Sequence, residues 1–460
     1  MEQENKVNPP SENKMGTMPI AKLLITMSAP MMISMIVQAC YNIVDSIFVS
    51  QLSENALNAV SLAFPLQQLM IAVCGGTAVG MNALLSQSLG AKKFDRANKI
   101  ANTGIFLFGL SCIIFVVIGL VASRPFFMMQ TDVKEIIDYG TDYATICLSL
   151  SAGIFTQFCF EKILQATGRT FLTMITHLVG AIINIILDPI LIFGLLGFPR
   201  LEVAGAAIAT VAGQMVAGVL AIIFNVKLNP EVHISTKLIR WDSKIVKDIY
   251  KIGLPSIIMQ SIGSVMTFCL NKILIAFTTT ATAVFGAYFK LQSFIFMPIF
   301  GLNNGMVPIV AYNYGAKKLD RIKKTVALSI AIAMSIMTLG LIAFELIPNV
   351  LLSFFNASEE MLTIGVPALR IIGIHFVLAG FCIIAGSVCQ AIGNPAHSLI
   401  VSVCRQLLVL LPAAWLLAQT GRLELVWFAF PTAECVSLIL SAIFLAKTMR
   451  RAKRRIKEMI

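Results

Sequence analysis

Two aspartates close stripes of polar residues inside long apolar stretches. Ser34, Gln38, Asn42 and Asp45 fall on one side of a helix, as do Thr173, His177, Asn184 and Asp188. A carboxylate near the centre of a membrane helix costs about 2.5–3.5 kcal/mol on insertion scales, so it is a functional candidate by default. The chemistry open to it is narrow: it can hold a proton or a cation. Pro189 follows Asp188 directly, has no amide hydrogen to donate, and leaves the Ile185 carbonyl free beside the carboxylate. The alternatives are structural: Asp188 satisfying backbone groups at a kink, and Asp45 as a polar residue near a helix end.

Other candidates carry less. Gln260, Ser264, Thr267 and Asn271 line one face of a helix without an acid, and suit substrate contact or hydrogen bonding between helices. Glu434 stands between a coupling acid and a satisfied core acid. Glu161 reads as structural, pairing with Lys162, Arg169 or a basic loop. His177 and His375 are lone imidazoles that read more simply as packing residues than as proton relays, although His177 shares its stripe with Asp188. Met27, Met31, Met32 and Met35 offer a surface that could repack around varied ligands. The ten cysteines sit in apolar runs without C-x-x-C spacing and read as small buried hydrophobes, so no metal site or disulfide framework is expected.

The elements that must position these residues are membrane helices. Hydrophobic residues make up 57% of the 460, charged residues 13%, and mean hydropathy is +0.85. Stretches long enough to cross a bilayer fall near 22–49, 56–85, 99–123, 137–160, 170–196, 203–227, 252–277, 282–311, 325–347, 362–388, 396–418 and 424–447. The start, through Met18, is polar and lacks the apolar core of a secretory signal. Most of the 35 lysines and arginines lie in the two termini, the 92–99, 227–251 and 317–324 connections and at Arg169, whereas alternate loops carry only Arg124, Lys134, Arg200 and Arg422. By the positive-inside rule both termini are cytoplasmic. Topology therefore accounts for the net charge of +12, and no nucleic-acid partner is implied.

The chain is also duplicated. Gly90-Ala91-Lys92-Lys93-Phe94-Asp95-Arg96 matches Gly315-Ala316-Lys317-Lys318-Leu319-Asp320-Arg321 at an offset of 225, and Pro30/Pro255, Gly76/Gly301, Gly80/Gly305 and Gly168/Gly393 keep the same register. Six spans per repeat is an even number, so the repeats enter the membrane in the same sense and form two parallel lobes. The expected organisation is an N-terminal segment (1–19), a first lobe (20–227), a linker (228–251), a second lobe (252–447) and a basic tail (448–460). Lys244–Lys251 would form either an amphipathic surface helix or plain linker. The paired Gly-x-x-x-Gly motifs predict close helix packing in both lobes. Leu270 and Ala413 stand at the repeat positions of Asp45 and Asp188, an asymmetry that favours a specialised site in the first lobe.

With these features the sequence resembles the multidrug and toxic compound extrusion (MATE) family over nearly its whole length. The resemblance rests on the twelve spans in two repeats, Pro30, Asn42-Ile43-Val44-Asp45, the Gly90 loop, Gln165-Ala166-Thr167-Gly168, Asn184-Ile185-Ile186-Leu187-Asp188-Pro189 and Gly205-Ala206-Ala207-Ile208-Ala209-Thr210. It implies a bacterial plasma-membrane antiporter, acting as a monomer, that exports organic cations or drugs against H+ or Na+. In the DinF-like branch the residues matching Asp45, Asn184, Asp188 and Thr210 hold the proton or cation. A second cation site, which another branch builds from acids on spans 7 and 10, is not expected here, because neither span has an acid at its middle. A flippase for lipid-linked oligosaccharide is the competing expectation, and would want a basic cleft drawn from Lys272, Lys290, Arg370 and Arg405. No catalytic motif is present, so an enzyme is not expected.

Overall fold

The structure, a computed structural model, describes residues 13–355 and 357–458; residues 1–12 of the N-terminal segment lie outside them. Among the described residues all regular structure is helical. A single turn, α1 (Lys14–Thr17), precedes the first-repeat helices α2 (Ile20–Ser50), α3 (Glu54–Gly90), α4 (Phe94–Met128), α5 (Lys134–Ser149), α6 (Ala152–Ala166), α7 (Thr170–Phe193) and α8 (Glu202–Leu228). The second repeat runs α9 (Ser243–Ile275), α10 (Thr279–Gly315), α11 (Leu319–Leu346), the short α12 (Pro348–Ser353), α13 (Glu359–Gly373) and α14 (Phe376–Ala391). It ends with α15 (Pro395–Val403), a π-helical stretch (Cys404–Leu410), α16 (Leu411–Ala418), α17 (Leu423–Val426) and α18 (Ala429–Glu458).

Ten of these helical stretches are long and apolar enough to cross a membrane. The pairs α5–α6 and α13–α14, bent by 43° and 47°, each add one more, which gives the expected twelve. The two breaks fall at related repeat positions, around Leu150 and His375. Helices α3 and α10 likewise begin and end at related positions, so the duplication extends to helix lengths.

The ends differ from the sequence expectation. Asp242 caps α9, its Oδ1 accepting from the Lys244 and Ile245 amides at 3.1 Å each. Lys244–Lys251 is therefore neither a separate surface helix nor plain linker; it forms the first turns of the seventh span. Much of the basic tail is likewise helical, as the continuation of α18.

The Gly-x-x-x-Gly motifs do pack helices closely, but between the repeats rather than within each. A Cβ at Gly76 or Gly80 would run into α9 at Gly253 and Ile249, and one at Gly301 or Gly305 would run into α2 at Met32 and Ser28. Nearer the basic end of the bundle α3 crosses α10. There a Cβ at Gly90 would strike the Tyr312 carbonyl, and one at Gly315 the Gln87 carbonyl.

The repeated basic motif acts at the same crossing. Lys92 and Lys317 adopt left-handed conformations (φ 56° and 60°), turning the chain into α4 and α11. The arginine of each motif then grips the entrance to the other repeat's first span. Arg96 pairs with Asp248 of α9 at 3.1 Å, and Arg321 donates to the carbonyls of Met15 and Met18, just before α2, at 3.0 and 2.7 Å. Lys162 on α6 also reaches Asn304 of α10 at 2.9 Å, and Gln87 donates to the Ala391 carbonyl at 2.6 Å.

Gly80→Leu and Gly305→Leu are each expected to destabilise the purified protein by about 1–3 kcal/mol through overpacking, read as a lower thermal midpoint in detergent. Gly109→Leu, whose added Cβ would meet nothing within 4 Å, is the control and should leave the midpoint in place. An unchanged midpoint for Gly80→Leu would show that α3 and α9 do not touch there.

Candidate functional site

Helix α7 brings Asn184 and Asp188 to its buried face, where α2 packs on one side and α8 on the other. The Asn184 amide nitrogen lies 3.3 Å from Asp188 Oδ1 and 3.3 Å from Thr210 Oγ1 on α8, linking the two helices through one side chain. Asp188 is fully buried and Asn184 nearly so. Asp45 on α2 lies within electrostatic reach of Asp188. Each aspartate is five residues from the end of its helix, at matched depth in the half of the bundle away from the basic end.

What this arrangement lacks is as informative as what it has. Asp45 Oδ1, Asp188 Oδ2 and Asn184 Oδ1 are all buried without a hydrogen-bond partner. Buried polar atoms are nearly always satisfied, so a group of orphaned oxygens calls for a missing ligand or water. Three oxygens and no nitrogen or sulfur fit a proton or a hard cation such as Na+. Of the four related positions in the second repeat, Leu270, Val409, Ala413 and Cys435, none carries an oxygen-bearing side chain.

The remaining candidates lie apart. Gln38 is half-buried and Asn42 exposed, both on α2. His177 does not join Asp188; its Nε2 is 2.9 Å from Glu161 Oε2, while Glu161 Oε1 accepts from Thr176 at 2.6 Å and Gln157 at 3.0 Å. That network leaves Glu161 fully satisfied, with His177 as its partner in place of Lys162, Arg169 or a loop, and braces α6 against α7. Met27 and Met31 are buried in the core, and the α2 backbone at Met31 and Met32 lies against Gly301 of α10.

In the second repeat Gln260 faces Gly75 of α3, Ser264 is exposed and Asn271 half-buried. Glu434 is buried with Arg405 at 3.5 Å, and its Oε1 has no partner. His375 sits against Phe296, Phe376 and Phe430, in the packing role expected of it.

The MatE family profile matches residues 30–190 and again 255–416, once in each repeat. The chain belongs to the MATE family. It is 28% identical over 436 residues to the multidrug export protein MepA of Staphylococcus haemolyticus, covering 94% of each chain. It is also 28% identical over 408 residues to a protein of Shewanella oneidensis named FAD transporter, covering 86% of this chain and 88% of that one. A solved structure described as the outward-facing conformation of a multidrug resistance MATE family transporter superposes with a TM-score of 0.91 at 25% identity, covering 96% of this chain and 99% of that one. This MATE protein is a multi-pass membrane transporter of the multidrug efflux family, and not an enzyme.

Two neighbours of the MATE acid site escaped the sequence reading. Tyr41 lies within electrostatic reach of both aspartates, and its signal was available, since it lies one helical turn before Asp45. Tyr143 on α5 accepts from Gln67 of α3 at 3.3 Å and lies near Asp45, a meeting of three helices with no linear signature.

If these oxygens hold the ion, ligand linkage should raise the protein's thermal midpoint in a Na+ titration or a pH titration, with stabilisation of about 2.7 kcal/mol at a hundredfold excess over the dissociation constant. Asp188→Asn and Asn184→Leu are expected to flatten that response, and Gln260→Ala to preserve it. An Asp188→Asn protein with the full wild-type response would exclude the site.

Proposed function

We propose that this MATE transporter is a secondary antiporter that exports organic, cationic and amphipathic compounds in exchange for inward H+ or Na+. The observation that carries the reading is the set of orphaned oxygens on Asp45, Asp188 and Asn184. Two carboxylates withdrawn from water repel each other and lack solvation, and one bound cation offsets both penalties. A site of this kind has different ion affinity when open to water and when sealed, and such differential affinity is what lets an ion bias a conformational equilibrium.

The positive-inside rule makes the basic end cytoplasmic and both termini with it. The acid site then lies about 7.5 Å, five residues at 1.5 Å each, from the outer ends of its helices. The glycine-mediated crossings between repeats lie in the cytoplasmic half, which suits a cleft that opens outward and loads the ion from outside. The two lobes, 20–227 and 252–447, act as the moving bodies of one monomer. Ion binding in the first lobe favours the arrangement that releases the exported compound. Each net charge moved across 100 mV supplies about 2.3 kcal/mol, equivalent to roughly fiftyfold, whereas one-for-one exchange of a monovalent cation moves no net charge and draws only on the concentration gradient of the ion. The likeness to the multidrug export protein MepA supports drug substrates, and the acids of the first lobe support their cationic character.

Everted vesicles with a fluorescent cationic dye added outside, and ΔpH and a Na+ gradient imposed separately, test the reading through dye uptake into the lumen. Wild type is expected to move dye under one of the two gradients. Asp188→Asn and Asp45→Asn are expected to reduce that movement at least about tenfold at unchanged membrane expression. Full ion-dependent transport by Asp188→Asn would overturn the coupling role.

A further inference from the structure

The antiport reading leaves unexplained why a four-residue helix ahead of the first span is buried in the basic end of the bundle. Met15 has no exposed surface and Gly16 is buried, although the segment is short and precedes the hydrophobic region. Asn13 caps α1, its Oδ1 accepting from the Met15 amide at 2.9 Å. Its side-chain nitrogen is then placed to bond the first lobe and the linker, donating to the Thr167 carbonyl at 3.0 Å and to Glu231 Oε2 at 2.6 Å.

From the opposite side the second lobe grips the backbone of the same turn. Asn313 and Arg321 both donate to the Met15 carbonyl at 3.0 Å, Lys318 donates to the Gly16 carbonyl at 2.9 Å, and Arg321 also reaches the Met18 carbonyl. These bonds need both lobes within reach of one turn of helix. They can exist together only while the basic ends of the lobes are close.

The repeat supplies an internal comparison. Gly168 and Gly393 occupy related left-handed turns (φ 85° and 91°). The space at Gly168 is taken by Lys14, Met15 and Asn13, whereas nothing lies within 4 Å of a Cβ at Gly393. The docking is therefore an addition to the duplicated scaffold and not a consequence of its symmetry. Burial pushes the Glu231 carboxyl above its ordinary value and the Lys14 ammonium below its own, as expected of a contact that excludes water.

We propose that the segment Asn13–Met18 is a cytoplasmic latch, which holds the two lobes together on the inner side and must undock before the transporter can open inward. The proposal rests on the alternating-access reading above. It adds a specific element that sets the balance between the outward-open and inward-open arrangements, without touching the ion site some helical turns away.

The test places p-acetylphenylalanine at Lys99 and Lys324, repeat-related and exposed positions at the basic ends of α4 and α11. A donor and acceptor dye attached there report the separation of the lobes by single-molecule energy transfer in lipid nanodiscs, with the ten native cysteines left in place. Asn13→Asp sets a carboxylate against Glu231 while keeping the cap. It is expected to raise the time spent in the separated state about three- to tenfold, the equivalent of one or two lost hydrogen bonds. Met15→Asp is expected to act in the same direction. Adding Glu231→Gln to Asn13→Asp restores a donor–acceptor pair of opposite sense and is expected to return the distribution most of the way to wild type, which general damage to the fold would not do.

If wild type visits the separated state and neither Asn13→Asp nor Met15→Asp visits it more often, the latch is wrong and alternating access stands. A rise with Asn13→Asp that Glu231→Gln leaves unreversed would also overturn the specific contact. If no variant and no imposed gradient ever separates the dyes, alternating access falls and the latch falls with it.

Discussion

Everything at the basic end depends on two helices crossing with backbone against backbone. At Gly90 and Gly315 there is no room for a methyl group, because each faces a carbonyl oxygen of the other helix. Lipid tails give helices no hydrophobic reason to associate, so close van der Waals packing and hydrogen bonds between them must hold the lobes together. The crossing supplies the packing. The arginines that follow each glycine, Arg96 and Arg321, supply the bonds, each reaching the start of the other lobe's first span. A short repeated motif thus does its work across the molecule from where it is encoded.

On that symmetric frame the two lobes carry opposite electrostatics. The first lobe gathers Asp45 and Asp188, and among the described residues no basic side chain bonds to either. Gly180 and Gly213 there let α7 and α8 approach closely. In the second lobe the position related to Gly180 is Arg405, which lies in the π-helical stretch and meets Glu434 at 3.5 Å. The first lobe leaves an oxygen of each aspartate unpartnered, whereas the second pairs its buried Glu434 with Arg405. The local rewinding of the helix around Arg405 accompanies that bulk, and the two halves of a duplicated gene product have diverged in charge while keeping helix lengths.

Much of this was legible in the sequence. The twelve spans follow from hydropathy, and the two repeats from the fixed offset. The stripe Asn184 to Asp188 pointed to the acid site because helical spacing is local. The reading failed where a partner lay far along the chain. Glu161 was matched to nearby basic residues, yet its partner is His177 on the next helix. The Gly-x-x-x-Gly pairs were legible as close-packing motifs, but nothing in them showed that the helix that fits each groove belongs to the other repeat. The polar segment before the first span carried no periodic signal, since a single buried turn is too short to have a period.

By itself the sequence determined which residues are apolar enough to span a bilayer, that the spans come in two parallel sets of six, and that the second set carries no acid at the repeat positions of Asp45 and Asp188. These properties are local or periodic, and apolar length and side-chain type specify them directly. Only the tertiary structure decided that α2 and α8 bring Asp45 and Thr210 to the Asn184–Asp188 face, that three of those oxygens remain unpartnered, and that Asn13–Met18 is clamped between the lobes. Hydrogen bonds and orphaned atoms depend on distances of about 3 Å between groups remote in the chain, and no spacing within one helix encodes which distant surface will lie against it.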